Sequence, residues 1–164
     1  MNPPVPEPVP AAVAVGMLLA PVVACLRGDD EGVGVLLDGA CEDGVAAGAL
    51  RAAPAVVRVY LRLAPPPDGA DRIVASYADG ARRRFDRDAF TVGAECLEVA
   101  RVPAAIERIA DAVFADIAGV HGDRCALEGA VASCWWCAQR SAELRNVDPV
   151  EEAAAICRYL SRVA

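Results

Sequence analysis

Lysine is absent from this chain, histidine occurs once, as His121, and all 16 basic residues are arginines. We read the arginine-only set as GC-rich coding, as in a high-GC bacterium, and not as a design for phosphate binding. A Gly-rich phosphate loop is missing as well: Gly32-Val33-Gly34 has neither the lysine nor the preceding strand that such a loop needs. With one histidine and no serine or cysteine on a recognisable catalytic turn, nothing here reads as a nucleophile–base pair. The formal net charge of −7 disfavours general attraction to nucleic acid or to an anionic membrane surface.

Aromatic residues are also scarce, at 5%, while 55% of the chain is hydrophobic. The core must therefore be built from Ala, Val, Leu and Ile, which points to closely packed helices. No uninterrupted run is suited to crossing a membrane. Val9 to Leu26 is nearly all apolar, but Gly16 and Pro21 interrupt it. It ends in Val22-Val23-Ala24-Cys25, which resembles the tetrapeptide preceding a bacterial lipid anchor at Cys25. Met1 to Pro10 contains Glu7 and no Arg or Lys, contrary to what an export signal requires. The expectation is a cytoplasmic protein with a buried first helix and no membrane contact.

Several breaks organise the chain. Met1 to Pro10 carries five prolines and reads as a Pro-rich, disordered tail. Residues 11–164 read as a single mainly helical domain, in two helical halves, 11–64 and 102–164, on either side of a linker and β-hairpin at 65–101. A helix over 11–27 ends at Gly28. Asp29-Asp30-Glu31 opens a short second helix that closes at Asp38-Gly39, and Glu42-Asp43 opens a third running toward Leu63. Pro54 predicts a kink or break in it, and residues 57–63 alternate well enough to be a strand instead. After the linker Pro65-Pro66-Pro67-Asp68-Gly69, the turn Asp79-Gly80 between Arg72–Tyr77 and Ala81–Phe85 predicts a type I′ hairpin, with a third short strand at Cys96–Val99. Ile106, Ile109, Val113 and Ile117 mark a helix ended by Gly119, and further helices follow over 124–145 and from Pro149, with Asp148 as N-cap. The expected fold class is α+β, mainly α, with N-terminal and C-terminal helices flanking a small antiparallel hairpin or meander.

The site candidates centre on Cys134-Trp135-Trp136-Cys137, which holds both tryptophans and two of the seven cysteines. The odd cysteine count and irregular spacing do not read as a disulfide framework. With His121 and Cys125, the pair forms an H-x3-C-x8-C-x2-C series whose donors suit tetrahedral zinc, and Cys157 is a substitute ligand. Zinc binding or thiol–disulfide chemistry at Cys134 and Cys137 is thus the alternative reading. Redox chemistry would need a depressed thiol pKa, as at a helix start, whereas Cys134 falls mid-helix.

The main reading makes Cys134 part of an apolar stripe with Leu127, Val131, Ala138 and Ser141. Trp135 falls on the buried side. Trp136 falls with Gln139, Arg140 and Glu143 on a polar face, where an exposed ring would anchor a partner. Arg82, Arg83 and Arg84 form the only basic run and are a further partner-binding candidate. The function expected from these residues is a non-catalytic interaction or regulatory module without a cofactor. Its partner would be a protein or a second copy, with the first helix contributing to the contact.

Overall fold

The computed structural model describes residues 10–65, 77, 87–100 and 116–163. It is helical: α1 (Ala11–Leu26), α2 (Asp30–Glu42), α3 (Ala46–Leu63), α4 (Arg87–Ala100), α5 (Asp123–Arg145) and α6 (Pro149–Val163). Among the described residues there is no strand, and the expected α+β arrangement is replaced by an all-helical one. Tyr77, assigned above to a hairpin strand, is helical and fully buried. The remainder of the expected hairpin, including Arg82, Arg83 and Arg84, lies outside the described residues. Cys96–Val99, read as a third strand, is inside α4. There the buried Ala89, Val92, Gly93 and Leu97 recur at helical spacing, and that period overrides the short alternation at 96–99.

The boundaries follow from local chemistry. Gly28, at φ +75°, ends α1, and the Asp29 carboxylate accepts a hydrogen bond from the Gly32 backbone N–H at 2.9 Å to cap α2. Helix α2 runs past Asp38-Gly39 to Glu42, because Leu37 and Ala40 are buried on one face and hold the last turn down. Pro54 does not break α3, nor does Pro21 break α1; each is buried mid-helix. A proline there loses one backbone hydrogen bond, and the burial of Val56, Val57 and Tyr60 beyond Pro54 offsets the loss. Residues 57–63 are therefore helix. His121 ends a helical segment described from 116, and the chain breaks at Gly122, with φ +84°, and not at Gly119 as expected. Between α5 and α6, Asn146 adopts the left-handed conformation of a C-cap. Asp148 then accepts from the backbone N–H groups of Val150 (2.8 Å) and Glu151 (3.1 Å).

Helix α5 is the hub and packs against each of α1, α2, α3, α4 and α6. From Ala126 to Ala138 it is buried nearly all round, with Glu128 the one residue left partly exposed. Its contact with α4 is close because glycines stand at the crossing. A Cβ added to Gly129 would lie 2.5 Å from Cβ of Val92, and one added to Gly93 would lie 2.9 Å from the Gly129 carbonyl oxygen. The two glycines face each other and let the backbones approach closely. Helix α1 packs on α2, α3, α5 and α6, which buries Leu18, Leu19 and Val22. The first helix thus buries one face within the chain, while Val13 stays 45% exposed. No helix of the described residues is long and apolar enough to cross a membrane.

Candidate functional site

Trp136 is not the exposed anchor that its polar neighbours implied. It is 8% exposed, against 6% for Trp135. Helical side chains lean toward the N-terminus of their helix. The residues one turn toward that end from Trp136 are Ala132 and Ser133, both buried, so its ring starts from a buried part of the helix. The Tyr77 ring closes over it edge-on, with centroids 6.0 Å apart and planes at 86°. Arg140 lies 6.0 Å from the Trp136 ring, and its guanidinium donates to the carbonyl oxygens of Ala64 and, at 3.3 Å, Pro65. Arg140 thereby caps the C-terminal end of α3 with a positive charge, where the helix dipole favours one. Both residues are engaged in holding this chain together.

The zinc series does not converge. Cys125 and Cys134 lie nine residues apart on one continuous helix, about 13 Å along its axis at about 1.5 Å per residue. Two ligands of one tetrahedral zinc stand about 4 Å apart, at metal–sulfur bonds of about 2.3 Å. Among the described residues, no three His, Cys, Asp or Glu side chains gather as a metal site would need. Cys157 is half-buried on α6, and His121 is half-buried at the end of the helical segment that precedes α5.

Cys134 and Cys137 are free, buried thiols. Burial pushes the Cys134 thiol up to about 12, against some lowering by its hydrogen bond with Ser133, and pushes Cys137 up as well. That is the opposite of what a thiolate nucleophile needs. Beside them Tyr60 is buried, its hydroxyl has no hydrogen-bond partner among the described residues, and its pKa is raised by burial. Cys25, the last residue of the tetrapeptide that resembles a lipid-anchor signal, is 3% exposed. It lines a small depression of about 190 Å³ against α2 and α5, where Arg124 is tied to Asp38 at 2.7 Å and Glu128 at 3.4 Å.

The larger concave surface lies elsewhere, where α3 and α6 diverge. It is an open groove of about 680 Å³. Val59, Arg62 and Leu63 at the end of α3 form one wall, and Glu151, Ala155, Ile156, Arg158 and Tyr159 of α6 form the other. Arg145, Val147 and Asp148 of the α5–α6 turn close one end. The lip is apolar and solvent-facing, with Tyr159 51% and Leu63 39% exposed.

One wall is stiffened from below. Glu152, whose side chain is 8% exposed, accepts from the Ser141 hydroxyl at 2.6 Å and pairs with Arg145, tying α6 to the end of α5. Both carboxylate oxygens are satisfied, so Glu152 is a strut and not a free base. Among the described residues, no cluster of nucleophile, base and oxyanion donor faces the groove. None of its residues stood out as a functional site in the sequence, and Asp148 read only as a helix cap. The signal that could have found the groove was the exposed face of α6, where Tyr159 interrupts an otherwise polar and small-residue surface.

Comparison with protein-family models, with curated proteins and with solved structures finds no match.

Proposed function

We propose that the chain is a non-catalytic protein-interaction or regulatory module, and that the groove between α3 and α6 is its contact surface. The observation that carries this reading is the groove itself: an open, mostly apolar concavity with Leu63 and Tyr159 solvent-facing at its lip. Large apolar side chains gathered at one concave place, rimmed by Arg62, Arg158, Asp148 and Glu151, match the anatomy of an apolar contact with a polar rim. The groove offers a small molecule few convergent polar groups, since Glu152 is already satisfied and Arg145 is held by it.

The test is a photo-activatable crosslinking side chain placed at Tyr159 or at Leu63 in the full chain, irradiated in cells. A discrete polypeptide adduct is expected from both positions. None is expected from Val35, which is 66% exposed on α2, away from the groove. Absence of any polypeptide adduct from both groove positions would overturn the proposal. The adduct mass separates a second copy from a different protein.

A further inference from the structure

The exposed face of α6 has an internal order that goes beyond a generic contact surface. Its exposed residues are Glu151, Ala154, Ala155, Arg158, Tyr159 and Arg162. Their spacing of three and four places all six on one stripe. The stripe is acidic at its start, small in the middle and basic at its end. Glu151 has no basic residue three or four positions away, and Arg158 has no acidic one. Neither makes an ion pair among the described residues, and Glu151 and Arg158 are about 10 Å apart along the axis, too far to pair with each other.

A second α6 laid antiparallel on this stripe answers every position at once. With the two-fold axis passing between Ala154 and Ala155, Ala154 meets the partner's Ala155, and Glu151 meets the partner's Arg158. The same operation brings Arg162 near the partner's Asp148 and sets Tyr159 over the partner's Val150. The alanines allow the backbones to come close, and the charged pairs flank them twice over because the contact is isologous. The helix dipole also favours acid at the start and base at the end of α6, but it accounts neither for the exposed alanines at the centre nor for the solvent-facing Tyr159 and Leu63. Resting on the reading of the groove as a contact surface, we infer that its occupant is a second copy of this chain, docked through an antiparallel α6–α6 contact with Glu151 and Arg158 crossing the two-fold axis.

The experiment is sedimentation of the full chain over a range of concentrations. A species of twice the 17.0 kDa chain mass is expected. Glu151→Arg and Arg158→Glu each set like charges against each other at two places and should weaken association by about tenfold or more. Carrying both substitutions in one chain restores the crossed pairing and should restore the dimer. So should an equimolar mixture of the two single variants, in which each Arg158 of one chain faces Glu151 of the other, and each Arg placed at 151 faces a Glu placed at 158. Circular dichroism of each variant confirms that the helices are intact. A wild-type chain that stays monomeric at every concentration overturns the inference while the crosslinking above still decides whether the groove serves another protein. A dimer that is indifferent to the single swaps, or that the double swap fails to restore, also overturns it.

Discussion

Gly129→Ala isolates the physical basis of the α4–α5 contact. In a solvent-facing helix interior the change would help, because alanine is about 1 kcal/mol better than glycine. Here the added Cβ would stand 2.5 Å from both Cβ and Cγ1 of Val92 and 2.8 Å from the Ala89 carbonyl oxygen. Carbon atoms in contact sit about 3.5–4.0 Å apart, so roughly 1 Å must be found. Of the obstructing atoms, the Ala89 carbonyl oxygen and Cβ of Val92 are fixed to the backbone, and no rotamer change moves them away. Helix α4 as a whole would have to shift, loosening the burial of Val92 and Leu97 and the seat of Tyr77 beneath Gly93. Overpacking of this kind costs about 1–3 kcal/mol, and rigid obstruction places it at the upper end. Subtracting the propensity gain leaves a net loss of about 2 kcal/mol. For a chain of this size that lowers Tm by about 4–8 °C. Gly16→Ala is the matched control, since nothing lies within 4 Å of a Cβ there, and it should raise Tm by about 2–4 °C. Thermal melts of the two variants followed by circular dichroism suffice. If Gly129→Ala melts at or above the wild type, the glycine contact is not close-packed and the reasoning fails.

Three further outcomes are expected. Trp136→Ala should destabilise the fold by about 3–5 kcal/mol in chemical denaturation, as a buried aromatic truncation does, and single-tryptophan variants should show both rings equally shielded from a soluble quencher; free quenching of Trp136 would contradict its burial under Tyr77. Arg140→Ala removes a charged donor from the end of α3 and should cost about 2 kcal/mol, measured the same way, with an unchanged midpoint refuting the capping role. An ordinary thiol ionises near 9.0 and Cys134 only near 12, so between those values the unfolded chain gives up a proton that the fold retains. Stability should thus hold below about pH 9 and fall above it, at up to about 1.4 kcal/mol per pH unit per buried thiol, and Cys134→Ala with Cys137→Ala should flatten the slope. A slope unchanged in the double variant would mean the two thiols are not the groups responsible.

Where the sequence was informative, the information was local or periodic. The negative run at Asp29–Glu31 and the Asp148–Pro149 start were legible because a cap is a short-range hydrogen bond between a side chain and its own helix start. The extents of α1 and α5 were legible because each carries a long apolar stretch between clear breaks. Tyr77 and Trp136 were misplaced for one shared reason. A turn signal at Asp79-Gly80 and a polar neighbourhood at Gln139, Arg140 and Glu143 were each read as deciding exposure, but these two rings bury each other across 59 residues of chain, and no local pattern encodes that meeting. Cys96–Val99 failed through a window too short for its period. Reading back to Ala89 exposes the helical stripe. The groove itself arises from the divergence of two helices distant in sequence, so only the exposed charge order of α6 carried any trace of it.

The hub position of α5 has a consequence for the order of synthesis. Helices α1 to α4 precede it in the chain, yet each of them completes its burial against residues 123–145. During translation the apolar faces that carry Leu18, Leu37, Val57 and Val92 leave the ribosome well before the helix that covers them. The growing chain therefore presents unshielded hydrophobic surface for most of its synthesis and collapses to its final packing only once the segment around Trp135 and Trp136 is released. Products terminated before Asp123 should be insoluble or held by chaperones, and the mutational sensitivity of α5 would register in cells as lost abundance before it registered as lost binding.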